Sequence, residues 1–200
     1  CRHQRQVLYR RISHGALYKN HRLWKHRVGS GLIHVHDDFL SCYDELRAFA
    51  DTADYAGEKN PVDGVIYPNI NAKIPDAVRS EVIENLSDLL GRKPEKVTMF
   101  LRMSPAGVHV PHIAHHDLSM GQFSLMLYLN DHEQGGTGLL RHRRTGMSWA
   151  PEDPLFTAVA QADQNNTEAW AITSTAQMKQ NRAAIFEAAQ FHCALPVGGF

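Results

Sequence analysis

Two stretches of this chain carry side chains suited to holding a metal ion: His115 and Asp117 in the run HHD, and His192 in FHCAL. Residues at positions i and i+2 of a strand point to the same face, so His115 and Asp117 can both reach one ion if the stretch is extended. His192 falls on a later predicted strand and supplies a third donor. Two imidazoles and one carboxylate form a facial set that leaves coordination positions open, the ligand set of non-haem iron(II) oxygenases.

Spacing alone is a weak signal, because with 13 histidines in the chain an H-x-D arises roughly once by chance. A second one is present, His36 and Asp38 within HVHDD, and His34 stands beside it. It directly precedes a predicted helix, where Asp38 has a plain role as a turn or cap residue. The neighbouring His109, His112, His116, His132 and His142 are read as non-ligands, since a fourth protein ligand would close positions that oxygen needs. On a strand His116 would point away from its two neighbours.

The elements that must position these residues are mostly β. From Lys96 onward short β-rich runs are separated by Gly, Pro and Asp: VTMFLRM, PHIAHHD, QFSLMLYLN, GTGLLRHR, RAAIF and FHCAL. Before them, GLIHVH reads as a short strand. A helix follows, capped by Ser41 with Asp44 and Glu45 in its first turn and with Leu46, Phe49, Ala50 and Ala53 at helical spacing. A second helix starts at Pro75, carries Val78, Val82, Ile83, Leu86 and Leu90 along one stripe, and ends at Gly91. Arg2 to Arg27 is basic and weakly periodic, and residues 1–27 are expected as a peripheral arm on a single domain over 28–200. Between Arg144 and Asn181 lies a polar stretch too long for a hairpin loop, read as an insertion over a site. Trp149, Phe156 and Trp170 within it are candidates for a pocket lining or for core.

A length of 200 residues with 43% hydrophobic and 21% charged content fits one soluble globular unit. Basic and acidic residues both number 21, so no global field favours nucleic acid or an anionic membrane. No apolar run approaches the roughly 20 residues of a membrane span, and CRHQRQVLYRR lacks a signal-peptide core. Three unpatterned cysteines argue against a disulfide framework. A cytoplasmic protein, with a native start upstream of Cys1, is expected.

The segment HHDLSMGQFSLMLYLNDHEQGGTGLLRHR resembles the prolyl-hydroxylase-like branch of the iron(II), 2-oxoglutarate-dependent dioxygenases. The likeness lies in ordered motifs: H-x-D at His115 and Asp117, YLN at Tyr128 to Asn130, GGT at Gly135 to Thr137, and NRAAIF with FH from Asn181 to His192. With DDFLSCYDELRAFA it covers roughly residues 30 to 200. The resemblance implies a double-stranded β-helix, a jelly-roll or cupin-like barrel with the metal in its mouth and helices on one side. It implies iron(II) on His115, Asp117 and His192, and 2-oxoglutarate and molecular oxygen as co-substrates. The products would be succinate, carbon dioxide and an oxidised small-molecule, amino-acid or peptide substrate. Related halogenating enzymes lack the carboxylate ligand, so Asp117 favours hydroxylation or desaturation.

By the same resemblance the Tyr128 hydroxyl would meet the distal carboxylate of 2-oxoglutarate; as a residue of FSLMLYL it reads equally as a core tyrosine. Such proteins place a basic partner for that carboxylate after the last histidine ligand. From His192 to Phe200 there is none. The role falls to Arg141, to Arg182, or to a residue beyond 200. Just before the H-x-D, where an aromatic is common, this chain has Arg102, Met103 and Ser104. A cupin-like metal-binding module without oxygenase activity is the alternative, and a zinc hydrolase with two histidines and an aspartate is a third reading.

Overall fold

The structure, a computed structural model, describes residues 4–10, 32–59, 66–107 and 114–197. It is mainly β with three helices. One antiparallel sheet has the order β2 (His34–His36), β10 (Arg182–Glu187), β7 (Phe123–Tyr128), β1 (Gln4–Arg10), β6 (Thr98–Ser104) and β5 (Ile70–Asn71). A second has the order β11 (His192–Leu195), β8 (Gly136–His142) and β9 (Trp170–Gln177). A short ribbon pairs β3 (Glu58–Lys59) with β4 (Ile66–Tyr67).

Alternation along β7 sorts the interior into two layers. Leu125, Leu127 and Leu129 join Ala183 and Ile185 of β10 in a core closed by α1 (Tyr43–Thr52) and α2 (Asp76–Leu90), whose Leu46, Ala50, Val78, Val82 and Leu86 face the sheet. Met126 and Tyr128 point the other way and meet Ala184 and Phe186, together with Leu139 of β8 and Ala176 of β9. That second cluster contains residues of both sheets, so they share a core as period-2 strands with two apolar faces require. A third cluster lies on the far side of the small sheet, where Ala160 of α3 (Pro154–Ala162) packs with Leu140, Trp170, Phe191 and Cys193.

Several expectations change. Residues 4–10 of the expected arm form β1, paired antiparallel with both β6 and β7 inside the large sheet. Residues 11–31 lie outside those described. The stretch 144–181 is not a bare loop but holds α3 and β9. The predicted helix starts are correct in place but not in chemistry at α1. Ser41 does not cap it; the Glu81 carboxylate of α2 accepts from the backbone N–H groups of Ser41 and Cys42 instead. Gly91 ends α2 in the left-handed conformation, φ 63°.

The GGT run has a steric explanation. Gly136 has φ +149°, and a Cβ there would lie 2.0 Å from the carbonyl oxygen of Ala176 on β9. Only glycine lets β8 and β9 pair at this point. The NR run is also structural at its first residue. Asn181 has φ 56°, and its side chain accepts from Leu40 N–H at 2.9 Å and donates to Leu40 carbonyl at 2.8 Å. This staples the segment before α1 to the start of β10.

Candidate metal centre

His115, Asp117 and His192 each offer a ligand atom, and these atoms lie within 4.8 Å of one another. They do not stand on two full strands. His115 is an isolated bridge residue, and Asp117 opens a short 3-10 turn over Leu118–Met120. A backbone bridge joins the two distant stretches: His192 N–H donates to His115 carbonyl at 2.8 Å, and His115 N–H donates to His192 carbonyl at 3.1 Å. Opposite residues of an antiparallel bridge share a face, which is why the two rings approach to 4.2 Å between centroids. Asp117 is held by its own backbone, whose N–H donates to Ala188 carbonyl at 2.7 Å.

The surroundings set the donor atoms. His192 and Asp117 are buried, at 4% and 3% exposure. Nδ1 of His192 lies 2.9 Å from the Gln190 carbonyl, which can only accept, so Nδ1 carries a proton and Nε2 is the nitrogen left to bind a metal. Nε2 faces Asp117 Oδ2 at 3.4 Å. Ser124, fully buried on β7, donates its hydroxyl to that same oxygen at 3.2 Å. Phe186 packs edge-on against the His192 ring at 4.8 Å. An imidazole nitrogen and a carboxylate oxygen thus face each other in a dry setting, where a cation shared between them, a proton or a metal ion, is stabilising.

The rival pair does not assemble. Among the described residues, the metal-capable group contains neither His34, His36 nor Asp38. His34 and His36 lie on edge strand β2, opposite Ile185 and Ala183. Asp38 takes φ 52° at the turn before α1. Its neighbour Asp37, not singled out from the sequence, receives Arg182 at both carboxylate oxygens and Lys179 at 3.0 Å. Hydrogen bonds from Arg182 and then Lys179 hold the Asp37 carboxyl well below the usual carboxylate range.

Of the three residues considered for a co-substrate carboxylate, Tyr128 and Arg182 are cross-strand neighbours and Arg141 stands apart. Tyr128 is fully buried, and its hydroxyl donates to Thr137 Oγ1 at 2.7 Å. Burial raises its pKa. Arg182 stands directly opposite Tyr128 in the β7–β10 register, on the face shared with Ala184 and Phe186. Arg141 is exposed on β8, between the buried Leu140 and His142.

Of the other singled-out residues, His142 is fully buried. Its Nε2 is 3.0 Å from Asp163 Oδ2 and its Nδ1 is 2.7 Å from the Thr145 hydroxyl. Trp170 donates to the Asp163 carbonyl at 2.9 Å and stacks near His142 and Phe191, so it is core. Phe156 is 43% exposed. Together with Arg144, which reaches Asp163 at 3.0 Å, these contacts pin the end of α3 to the small sheet. A cleft of about 150 Å³ lies beside His115, walled by α3 and Pro151 on one side and by Ala114, His116 and Phe191 on the other.

No helix among the described residues is long and apolar enough to cross a membrane. Residues 19–195 match a family described as "Family of unknown function (DUF6445)". No curated protein and no solved structure matches the chain.

Proposed function

We propose that this chain, which belongs to the DUF6445 family of unknown function, is a non-haem iron(II), 2-oxoglutarate-dependent dioxygenase that hydroxylates a substrate not yet identified. The observation that carries the reading is the facing of the His192 Nε2 lone pair and Asp117 Oδ2 at 3.4 Å, with a ligand atom of His115 within 4.8 Å of both. When the imidazole is neutral its Nε2 lone pair and the carboxylate repel at that distance, and a divalent cation between them reverses the sign. The donor set, two nitrogens and one oxygen, suits iron(II) and leaves coordination positions for small ligands.

Bound iron would supply the oxygen chemistry, and the residues of the chain supply position. His115, Asp117 and His192 would hold the ion. Gln190 fixes the orientation of His192, and Ser124 that of Asp117. Tyr128 and Arg182, neighbours across the β7–β10 pair, would be the hydroxyl and cation that receive the distal carboxylate of 2-oxoglutarate. The two antiparallel sheets that share a core are compatible with a double-stranded β-helix of the jelly-roll kind, the architecture this reading requires.

One observation favours a metal-binding module without oxygenase activity. Tyr128 and Arg182 already hold internal partners, Thr137 and Asp37. Anaerobic loading with iron(II), followed by oxygen and 2-oxoglutarate, decides between the two. Succinate released without added substrate supports the oxygenase; metal binding with no succinate supports the module.

A further inference from the structure

Helix α3 is turned against its own composition. Its exposed side carries Leu155 and Phe156, at 70% and 43% exposure. The stripe facing the cleft, Thr157, Ala160 and Gln161, continued by Gln164, is small or polar. A helix that packs for burial alone puts its apolar stripe inward. Here the stripe toward the cleft, with Ala160 buried, Thr157 and Gln164 half-buried and Gln161 exposed at the mouth, presents hydrogen-bonding groups to a space of about 150 Å³.

Those groups have capacity to spare. Among the described residues, no hydrogen bond is made by the side-chain amides of Gln161 and Gln164. Across the cleft stands His116, whose Nδ1 is buried without a hydrogen-bond partner. An N–H buried in that state costs more than a bare lone pair, so the proton sits on Nε2, a donor. The floor is apolar, formed by Ala114, Ala160 and the ring of Phe191. No Asp, Glu, Lys or Arg lines the cleft, so a charged guest would lose hydration with no counter-charge to replace it.

The cleft touches one candidate metal ligand, His115, at its edge, and the rest of its lining lies on the α3 side of the small sheet. Its floor residues belong to the cluster on the α3 side of the small sheet, whereas Phe186 and Leu139, the neighbours of His192, belong to the cluster between the sheets. We infer that this cleft is a second binding site, for a small uncharged molecule carrying a carbonyl or carboxamide on a compact apolar body. The carbonyl would accept from His116 or a glutamine amide, and the apolar body would cover Phe191. His115 is the one residue the cleft shares with the candidate metal centre; the glutamines and the apolar floor belong to the cleft alone.

Three probes of one shape and different charge test it: isobutyramide, isobutyrate and isobutylammonium, titrated into the ¹⁵N-labelled full chain. The side-chain NH₂ resonances of Gln161 and Gln164 are direct reporters. Isobutyramide should shift them saturably, in the millimolar range that so few atoms allow, and the two charged probes should bind about tenfold more weakly or worse. The double variant Gln161→Leu/Gln164→Leu should lose at least about tenfold in isobutyramide affinity, whereas His192→Ala should leave it unchanged. Absence of saturable shifts in the wild type, equal binding of the charged probes, or undiminished binding by a folded double variant would overturn the assignment. If the double variant does not fold, the wild-type comparison of the three probes decides alone.

Discussion

Gly136 and Gly138 stand two residues apart on β8, and alanine should be costly at the first and nearly neutral at the second. At Gly136 an added Cβ would lie 2.0 Å from the Ala176 carbonyl oxygen, and φ is +149°. Relieving the overlap needs the strands to part by more than an ångström, because real Cβ atoms do not approach oxygen within about 3 Å. The backbone conformation costs alanine about 1–3 kcal/mol, and weakening one or two ladder hydrogen bonds adds about 1 kcal/mol each. Gly136→Ala should therefore lose about 2–5 kcal/mol, equivalent to a fall of about 10 °C in Tm for a chain of this size. At Gly138 the added Cβ would meet Cys193 Sγ, Ile172 and Leu195 at 3.5 Å, ordinary contact distance. Gly138→Ala should stay within about 1 kcal/mol of wild type. Urea unfolding followed by circular dichroism measures both. Equal losses, or a Gly136→Ala change below about 1 kcal/mol, would refute the close approach of β8 to β9.

Other perturbations probe the site and its support. Ser124→Ala removes the hydroxyl that donates to Asp117 Oδ2 and should weaken iron(II) affinity by about tenfold with the fold intact, read by anaerobic titration calorimetry. Unchanged affinity would show that the bond does not hold the carboxylate. Tyr128→Phe leaves the buried Thr137 hydroxyl without its donor and should cost about 1–2 kcal/mol in urea unfolding. If Tyr128 also receives 2-oxoglutarate, KM for that co-substrate rises in the succinate assay, and an unchanged KM removes that role. Glu81 predicts a pH dependence. Burial raises its pKa, but hydrogen bonds from the Cys42 thiol and the Ser41 and Cys42 backbone outweigh it and bring the value from 4.5 to about 2. A carboxyl depressed on folding stabilises the native state above its unfolded pKa, and loses that contribution as pH falls through its folded one. The stability gap between wild type and Glu81→Gln should be constant above about pH 5 and close toward pH 2; a gap independent of pH would exclude the cap.

The parts of the fold that were legible in the sequence are those whose signals are local. Strand β7 announces itself because Phe123 to Tyr128 is buried on both faces, and α2 because its apolar stripe starts at Pro75 and stops at Gly91. Strand β9 was not legible, since as an edge strand it buries only Trp170 and Ala176 at the two ends of WAITSTAQ and leaves no alternation between them. Helix α3 was hidden by its reversed stripe, with Leu155 and Phe156 facing out. Nothing in QRQVLYR tells that it will pair with strands about ninety residues or more away in sequence, because non-local pairing leaves no local mark. At the candidate site the sequence supplied the three side chains, but not the means of joining them. The i, i+2 strand geometry is replaced by a single backbone bridge between His115 and His192, and Ser124 and Gln190, which orient the ligands, carry no spacing signal. Asp37, the partner of Arg182, carries no local signal, because the two are 145 positions apart in sequence and only the β2–β10 pairing brings them together.

The most direct measurement is iron(II) stoichiometry under anaerobic conditions, by calorimetric titration of the purified chain and of four single variants. One ion per wild-type chain should bind, with binding lost in His115→Ala, Asp117→Ala and His192→Ala and retained in His36→Ala. No saturable binding by the folded wild type, or full binding by His192→Ala with loss in His36→Ala, would contradict a metal centre at the junction of residues 115, 117 and 192.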